Sequence, residues 1–261
     1  MADGYLDDLR LAHVLADAAD EVTERRFGAL DLRVETKPDL TPVSDADRAV
    51  EERLRDLLAR ERHGDAVLGE EYGHSGSGAR RWVIDPIDAT KNFVRGVPAW
   101  ATLIALMEGD RVVVGVVSAP ALGRRWWAAR GTGAWAGRGP DDAAPIKVSG
   151  VGGLADASFS YSSLSGWEER GGLERFLDLT RACWRTRAFG DFWSHMMVAE
   201  GLVDVSAEPE VGLWDLAALQ VIVEEAGGRF TALDGRAVPD GGSVVCTNGL
   251  LHDEVLGILA P

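Results

Sequence analysis

Apolar residues recur at helical spacing from the start of the chain. Tyr5, Leu9, Ala12, Ala16 and Ala19 fall on one stripe and predict an amphipathic helix over residues 4–26, with His13 packing beside the stripe. Ser44, with Asp47 three residues on, has the pattern of a capping box, and Val50, Leu54, Leu57 and Leu58 give the following helix its apolar face. Between these helices, residues 31–43 read as a short strand and a proline-punctuated loop carrying Lys37, placed to close over a site or simply to connect. A short apolar strand at 66–69 ends in two acids, Glu70 and Glu71, and residues 74–80 read as a surface loop. Residues 101–107, 112–118 and 125–129 are apolar or alternating and are separated by turn residues, which predicts an antiparallel meander. Trp126 and Trp127 are consecutive in it, so one ring should lie on each face of the sheet.

Beyond about residue 153 the pattern changes. Strands are expected at 157–162, 186–189, 203–207, 228–232 and 243–247, with helices at 173–184, 192–201, 214–226 and 251–259. That alternation suggests a more parallel, helix-covered sheet. The Gly-, Pro- and Asp-rich stretch at 137–153 is the best boundary, dividing an α+β half (1–145) from an α/β half (146–261).

Charge narrows the partners. The 261 residues carry 42 acidic against 27 basic side chains, a net charge of −15, which argues against nucleic acid and anionic membranes as partners. An acidic protein can still handle phosphates where metal ions invert the local field. Cys183 and Cys246 make neither a disulfide framework nor a CxxC metal site, and read as core thiols. There is no membrane-spanning apolar run, and the acidic N-terminus is unlike a secretory leader, so a cytoplasmic location is expected.

The candidate chemistry centres on residues 82–93, Trp-Val-Ile-Asp-Pro-Ile-Asp-Ala-Thr-Lys-Asn-Phe. A β-branched run reaches Asp85, turns stiffly through Pro86 and delivers Asp88 into the same space. The N–H groups of Ala89, Thr90 and Lys91 then open towards both carboxylates. Carboxylates bind hard cations such as Mg²⁺ and free N–H groups bind phosphate oxygens, so the pair suits metal-assisted attack on a phosphate ester. Asp-Pro-x-Asp is also a common turn. What shifts the balance is Glu70 at another strand end and Asp215 opening a helix: four carboxylates at element ends are what a two- or three-metal oxygen site needs. The structural alternative for Asp215, and for Asp191, is a helix N-cap, and for Asp47 service to its helix N-terminus.

Gly69-Glu70-Glu71, the 82–93 stretch, and Trp214-Asp215-Leu216-Ala217-Ala218 with Gly227-Gly228 resemble, in order and spacing, the three signatures of the inositol monophosphatase family, over nearly the whole chain. The resemblance implies a layered αβαβα sandwich, usually a homodimer, that hydrolyses small phosphate monoesters with two to three Mg²⁺ ions per site. It implies that Glu70, Asp85 and the Ile87 carbonyl hold the first metal and that Asp85, Asp88 and Asp215 hold the second, with a weaker third near Glu70. Thr90 and Asp47, with Glu70, would orient the attacking water, and phosphate would rest on the N–H groups of Ala89 and Thr90, with Lys91 near it or merely at the surface. One departure stands out. The family has Gly, sometimes Ser, where this chain has Ala89, whose Cβ should crowd the phosphate and resist positive φ, reducing turnover or metal affinity.

Residues 36–47, 88–98, 160–167 and 190–192 are similar to those family members that hydrolyse histidinol phosphate in histidine biosynthesis. That substrate carries an amine and an imidazole, which acidic residues facing the leaving group would favour; Asp191 and Glu208 are the candidates. Inositol 1-phosphate, a nucleotide 3′-phosphate, and a weakened metabolite-binding relative are the alternatives.

Overall fold

The computed structural model describes residues 2–236 and 242–260. In chain order the elements are α1 (Leu6–Arg26), the hairpin β1 (Val34–Thr36) and β2 (Pro42–Ser44), α2 (Asp45–Glu61), β3 (Ala66–Gly69), β4 (Gly73–Ser75), β5 (Arg80–Asp88) and α3 (Thr90–Val94). Then follow β6 (Ala101–Glu108), β7 (Arg111–Ala119), β8 (Arg124–Ala129), β9 (Ala134–Gly137), β10 (Ala144–Ile146), β11 (Ser158–Ser160), α4 (Ser165–Glu169) and α5 (Leu173–Ala182). The chain closes with β12 (Arg185–Arg187), α6 (Asp191–Ala199), β13 (Val205–Glu208), α7 (Leu213–Glu225), β14 (Arg229–Thr231), β15 (Val244–Thr247) and α8 (His252–Leu259).

Two sheets and three helical layers alternate. One sheet has the order β10-β9-β8-β7-β6-β5-β3-β4 and the other β12-β11-β13-β15-β14. Leu11, Leu15 and Ala16 of α1, with Val50, Leu54 and Leu58 of α2, cover one face of the first sheet. Its other face meets Phe192 and Met196 of α6 and Leu216, Leu219 and Ile222 of α7, which also reach Phe230, Val244 and Cys246 of the second sheet. The outer face of the second sheet is closed by Phe176 and Leu179 of α5 and Val255 and Leu259 of α8. This is the expected αβαβα sandwich. α7 is apolar on nearly every side because sheets flank it on both. Trp126 and Trp127 pack into the clusters on opposite faces of the first sheet, as their adjacency predicts.

The ladders differ from expectation in detail. The second sheet is mixed: β12, β11 and β13 run parallel, while β15 is antiparallel to both β13 and β14. β10 and β4 lie in stretches expected to be irregular, because these short edge strands rest on pairing rather than on an apolar pattern of their own, and β9, between β8 and β10, extends the meander by one more strand. More consequential is β5. The strand does not stop at Asp85 to turn through Pro86; it continues to Asp88 through a register shift against β6 between Asp85 and Asp88. A bulge is where a strand tolerates proline, whose missing N–H leaves no partner unpaired. Thr102 Oγ1 donates to the Pro86 carbonyl at 2.7 Å and holds the bulge in place.

At Gly115, in β7, the sheet meets α7 most closely. A Cβ there would lie 2.6 Å from the Ala218 carbonyl oxygen and 2.6 Å from Val221 Cγ1. Gly115→Ala should therefore lift α7 from the sheet and cost about 1–3 kcal/mol. Calorimetry should show a Tm lower by several degrees; an unchanged Tm would mean that the helix has slack at this point.

Candidate active site

The bulged end of β5 is the base of the site. Asp85 is buried and Asp88 half-buried, and Asp215 approaches them from the first turn of α7, with one oxygen of each carboxylate within 4.8 Å of the others. Parallel pairing of β3 with β5, extended by Glu70 N–H donating to the Ile84 carbonyl at 3.2 Å, brings Glu70 alongside Asp85. Glu70 itself lies outside the three-aspartate cluster. Its carboxylate accepts from Lys37 Nζ at 2.7 Å, and the same ammonium reaches Glu71 at 2.6 Å. The loop between β1 and β2 thus brings Lys37 to the margin of the site, with a cation on one of the expected metal ligands.

Electrostatics gives the cluster its character. Burial, reinforced by the charges of Glu70, Asp88 and Asp215, raises Asp85 well above the usual carboxylate range. Burial and the charges of Asp191 and Asp215 do the same to Asp88, against the Phe192 N–H that donates to its Oδ2 at 2.8 Å. Asp215 is pushed to about 6, mainly by burial. Asp85 Oδ1 is buried with no hydrogen-bond partner. A buried, unpartnered carboxylate oxygen among repelling neighbours fits an oxygen-liganded divalent cation, and the donor set is all oxygen, as Mg²⁺ requires.

Around this core the structure places the other expected residues. Asp47 is buried and completes the capping box at α2, its Oδ2 accepting from Ser44 N–H at 2.7 Å and Ser44 Oγ at 2.6 Å. Burial lifts it to about 6. Its Oδ1 lies 3.5 Å from Thr90 Oγ1, which sits closer to the Ile87 carbonyl, at 3.0 Å. The Thr90–Asp47 pair is therefore long, and the nearer acceptor for the Thr90 hydroxyl is the Ile87 carbonyl. Ala89 does adopt positive φ, +64°. It packs at the margin of the apolar cluster formed by Ala46, Ile87, Phe93 and Trp100. The N–H groups of Ala89, Thr90 and Lys91 find no acceptor among the described residues. Lys91 is exposed, and its charge partly offsets the burial that raises Asp191.

Asp191 and Glu208 face each other across Ser162. Ser162 Oγ donates to Glu208 Oε1 at 2.7 Å and accepts from the Asp191 N–H at 2.8 Å. Burial pushes Glu208 up to about 8 against that hydrogen bond, with Asp191 and Asp215 adding to the rise. Neither Asp191 nor Asp215 is an N-cap: glycines 190 and 212 hold those positions, and Asp215 Oδ2 instead accepts from the Gly212 N–H at 2.5 Å. Sequence reasoning gave Glu51 no role, yet it is fully buried and accepts from the Glu71 and Tyr72 N–H groups at 2.7 and 3.2 Å, fixing the turn that presents Glu70. Its spacing of four from Asp47 was the available signal. The companion signal was Gly69, where any Cβ would fall 2.0 Å from Glu51 Oε1.

A cluster of buried carboxylates beside free backbone donors, between two sheets with helices on both faces, defines a phosphatase of the metal-assisted class. The model of the inositol monophosphatase family matches residues 7–260, and the chain belongs to that family. It is 66% identical to a histidinol-phosphatase of Streptomyces coelicolor over 98% of this chain and 97% of the relative. It is 64% identical to a histidinol-phosphatase of Mycobacterium tuberculosis over 96% of each. The structure of an inositol monophosphatase from Zymomonas mobilis superposes with a TM-score of 0.87 at 31% identity, covering 98% of this chain and 99% of that one.

The raised carboxylates set a pH dependence. A buried acid with a raised pKa binds more protons folded than unfolded, so its contribution to stability falls as pH rises towards the folded value. Glu208, pushed up to about 8, gives this sign between pH 7 and 8, and the raised Asp85 and Asp88 carboxyls act in the same direction. The buried histidines His13, His195 and His252, held near 4 chiefly by burial, are neutral in the fold but take up protons in the unfolded chain as pH falls towards their ordinary value of about 6.5, so they oppose this slope increasingly below about pH 7. With divalent cations chelated, Tm should therefore rise as pH is lowered from 8 to 7, and Mg²⁺ should raise the Tm measured at pH 8. A flat profile with no effect of Mg²⁺ would count against a cation site here.

Proposed function

We propose that this phosphatase hydrolyses L-histidinol phosphate to L-histidinol and inorganic phosphate, as a step of histidine biosynthesis, using Mg²⁺. The observation that carries the reading is end-to-end identity of 66% and 64% to two histidinol-phosphatases, against 31% to the inositol monophosphatase of known structure. The acidic pair Asp191 and Glu208 supports it from the side of the leaving group. The reading includes a homodimer working in the cytoplasm, and no helix among the described residues is long and apolar enough to cross a membrane.

In this proposal Glu70, Asp85, Asp88, Asp215 and the Ile87 carbonyl hold two to three Mg²⁺ ions. When bound, these would neutralise phosphate charge and lower the pKa of water. The protein's own contribution is placement. The N–H groups of Ala89 and Thr90 receive phosphate oxygens, with Lys91 at the rim. Asp47, Thr90 and Glu70 orient the attacking water, which requires Lys37 to yield Glu70 to the metal. Asp191 and Glu208 take the cationic alcohol. Positioning and charge compensation then supply most of the rate, as expected for phosphoryl transfer.

Phosphate release from histidinol phosphate, inositol 1-phosphate and adenosine 3′,5′-bisphosphate, with and without Mg²⁺, tests the reading. Mg²⁺-dependent preference for histidinol phosphate is expected; equal rates on all three would remove the substrate assignment. Asp191→Asn should raise KM for histidinol phosphate about ten-fold or more, the loss of one charge-assisted contact, with a smaller change in kcat. An equal effect on inositol 1-phosphate would show that Asp191 does not read the leaving group. Because residue 89 already holds positive φ and packs at the margin of an apolar cluster, Ala89→Gly should change kcat by less than about three-fold. A large gain would instead identify the natural protein as a weakened enzyme.

A further inference from the structure

Asp191 has φ of +49°, a conformation disfavoured for any residue with a Cβ, so neighbouring contacts must hold it. The contacts are a set of serine hydroxyls. Ser160 Oγ, in β11, pairs with Ser194 Oγ of α6 at 2.7 Å, and Ser194 Oγ accepts from the Gly190 N–H at 3.0 Å. One residue on, the Asp191 N–H donates to Ser162 Oγ at 2.8 Å, and the next N–H, of Phe192, donates to Asp88. Ser162 has one proton, which goes to Glu208 Oε1 at 2.7 Å. The Ser162 hydroxyl thus donates to one acid and accepts from the backbone of the other, and its proton is not free for substrate. Among the described residues no Lys, Arg or His forms an ion pair with Asp191 or Glu208.

We propose that Ser162 is a specificity-determining positioning residue, whose hydroxyl locks Glu208 and the left-handed Asp191 into one two-carboxylate cradle that selects phosphate esters of cationic alcohols. This deepens the substrate assignment above and rests on it. Ser162 touches neither the phosphate nor the metal ligands in this arrangement. Its loss leaves the aspartate cluster, the 89–91 N–H groups and the attacking side of the site in place. What it removes is the tie that fixes the distance and direction between the two carboxyl groups, so that they no longer meet the cationic alcohol as one preorganised pair.

The test compares wild type, Ser162→Ala, Ser162→Cys and Ser162→Thr on histidinol phosphate and on inositol 1-phosphate, whose leaving alcohol is neutral, with Mg²⁺ present throughout. Ser162→Ala should raise KM for histidinol phosphate by about ten-fold, the usual scale for one hydrogen bond to a charged group, with little change in kcat. Inhibition by the product L-histidinol should weaken by a similar factor, and turnover of inositol 1-phosphate should stay near the wild-type level. Ser162→Cys, which keeps the volume but donates only weakly, should behave like the alanine variant, and Ser162→Thr should restore the wild-type pattern. Equal losses on both substrates would make Ser162 a structural residue, and unchanged KM in the alanine and cysteine variants would make it irrelevant; either overturns the proposal alone. Absence of any wild-type preference for histidinol phosphate would overturn the substrate assignment, and this inference with it.

Discussion

The constraint on which the rest of this structure depends is the repulsion among carboxylates that folding buries together. Asp85, Asp88 and Asp215 come from two elements on opposite sides of a long stretch of sequence, and each is raised by burial and by its neighbours' charges. Such a cluster opposes the fold that makes it unless protons or cations compensate. Lys37 offers a partial answer. It sits on Glu70 and Glu71 at the margin, where two hydrogen-bonded carboxylates outweigh burial and hold its ammonium above the ordinary lysine value. The central oxygen, Asp85 Oδ1, gets no such relief. A divalent cation bound here would relieve that repulsion, and so would stabilise the fold as well as serve the chemistry.

Holding the cluster in place falls to the middle helical layer. α7 delivers Asp215 and is pressed onto β7 where only glycine fits; α6 sends the Phe192 N–H to Asp88. Both helices bury side chains against the first sheet, and both also belong to the cluster that reaches the second. The site therefore depends on contacts made far from it, because the carboxylates' own interactions with one another are unfavourable.

How much of this was legible in the sequence depends on the kind of interaction that carries each part. The layers follow from periodicity, and even the split of Trp126 and Trp127 between two clusters follows from strand alternation. The acids were legible because each stands at the end of an element with a recognisable boundary. The bulge in β5 was not, since a proline between two aspartates has the same local signature in a turn as in a strand whose partner slips by a register step. The engagement of Glu70 by Lys37, 33 residues away, leaves no periodic trace. Nor do the hydroxyls of Ser160, Ser162 and Ser194, because serine fits turns, caps and surfaces equally well and only the tertiary fold decides which of its hydrogen bonds are made.

The left-handed residues at the site, Ala89 and Asp191, show the same logic from the side of strain. Each carries a Cβ at positive φ, and each stands where the chain leaves one element and enters a helix beside the cluster. Glycine would relieve the strain at either. At 89 the residue recovers part of the cost by packing against the apolar cluster of Ala46, Ile87, Phe93 and Trp100, and the N–H groups of residues 89–91 stay without an acceptor among the described residues. At 191 no comparable packing is needed, because the hydroxyl of Ser162 and the carboxylate of Asp88 accept the two successive N–H groups that the conformation exposes. What glycine could not supply there is the carboxylate itself. The strain at 191 is therefore tied to a side chain and the strain at 89 to a backbone, which is why substitution at the first should alter choice of substrate while substitution at the second should leave the chemistry nearly as it was.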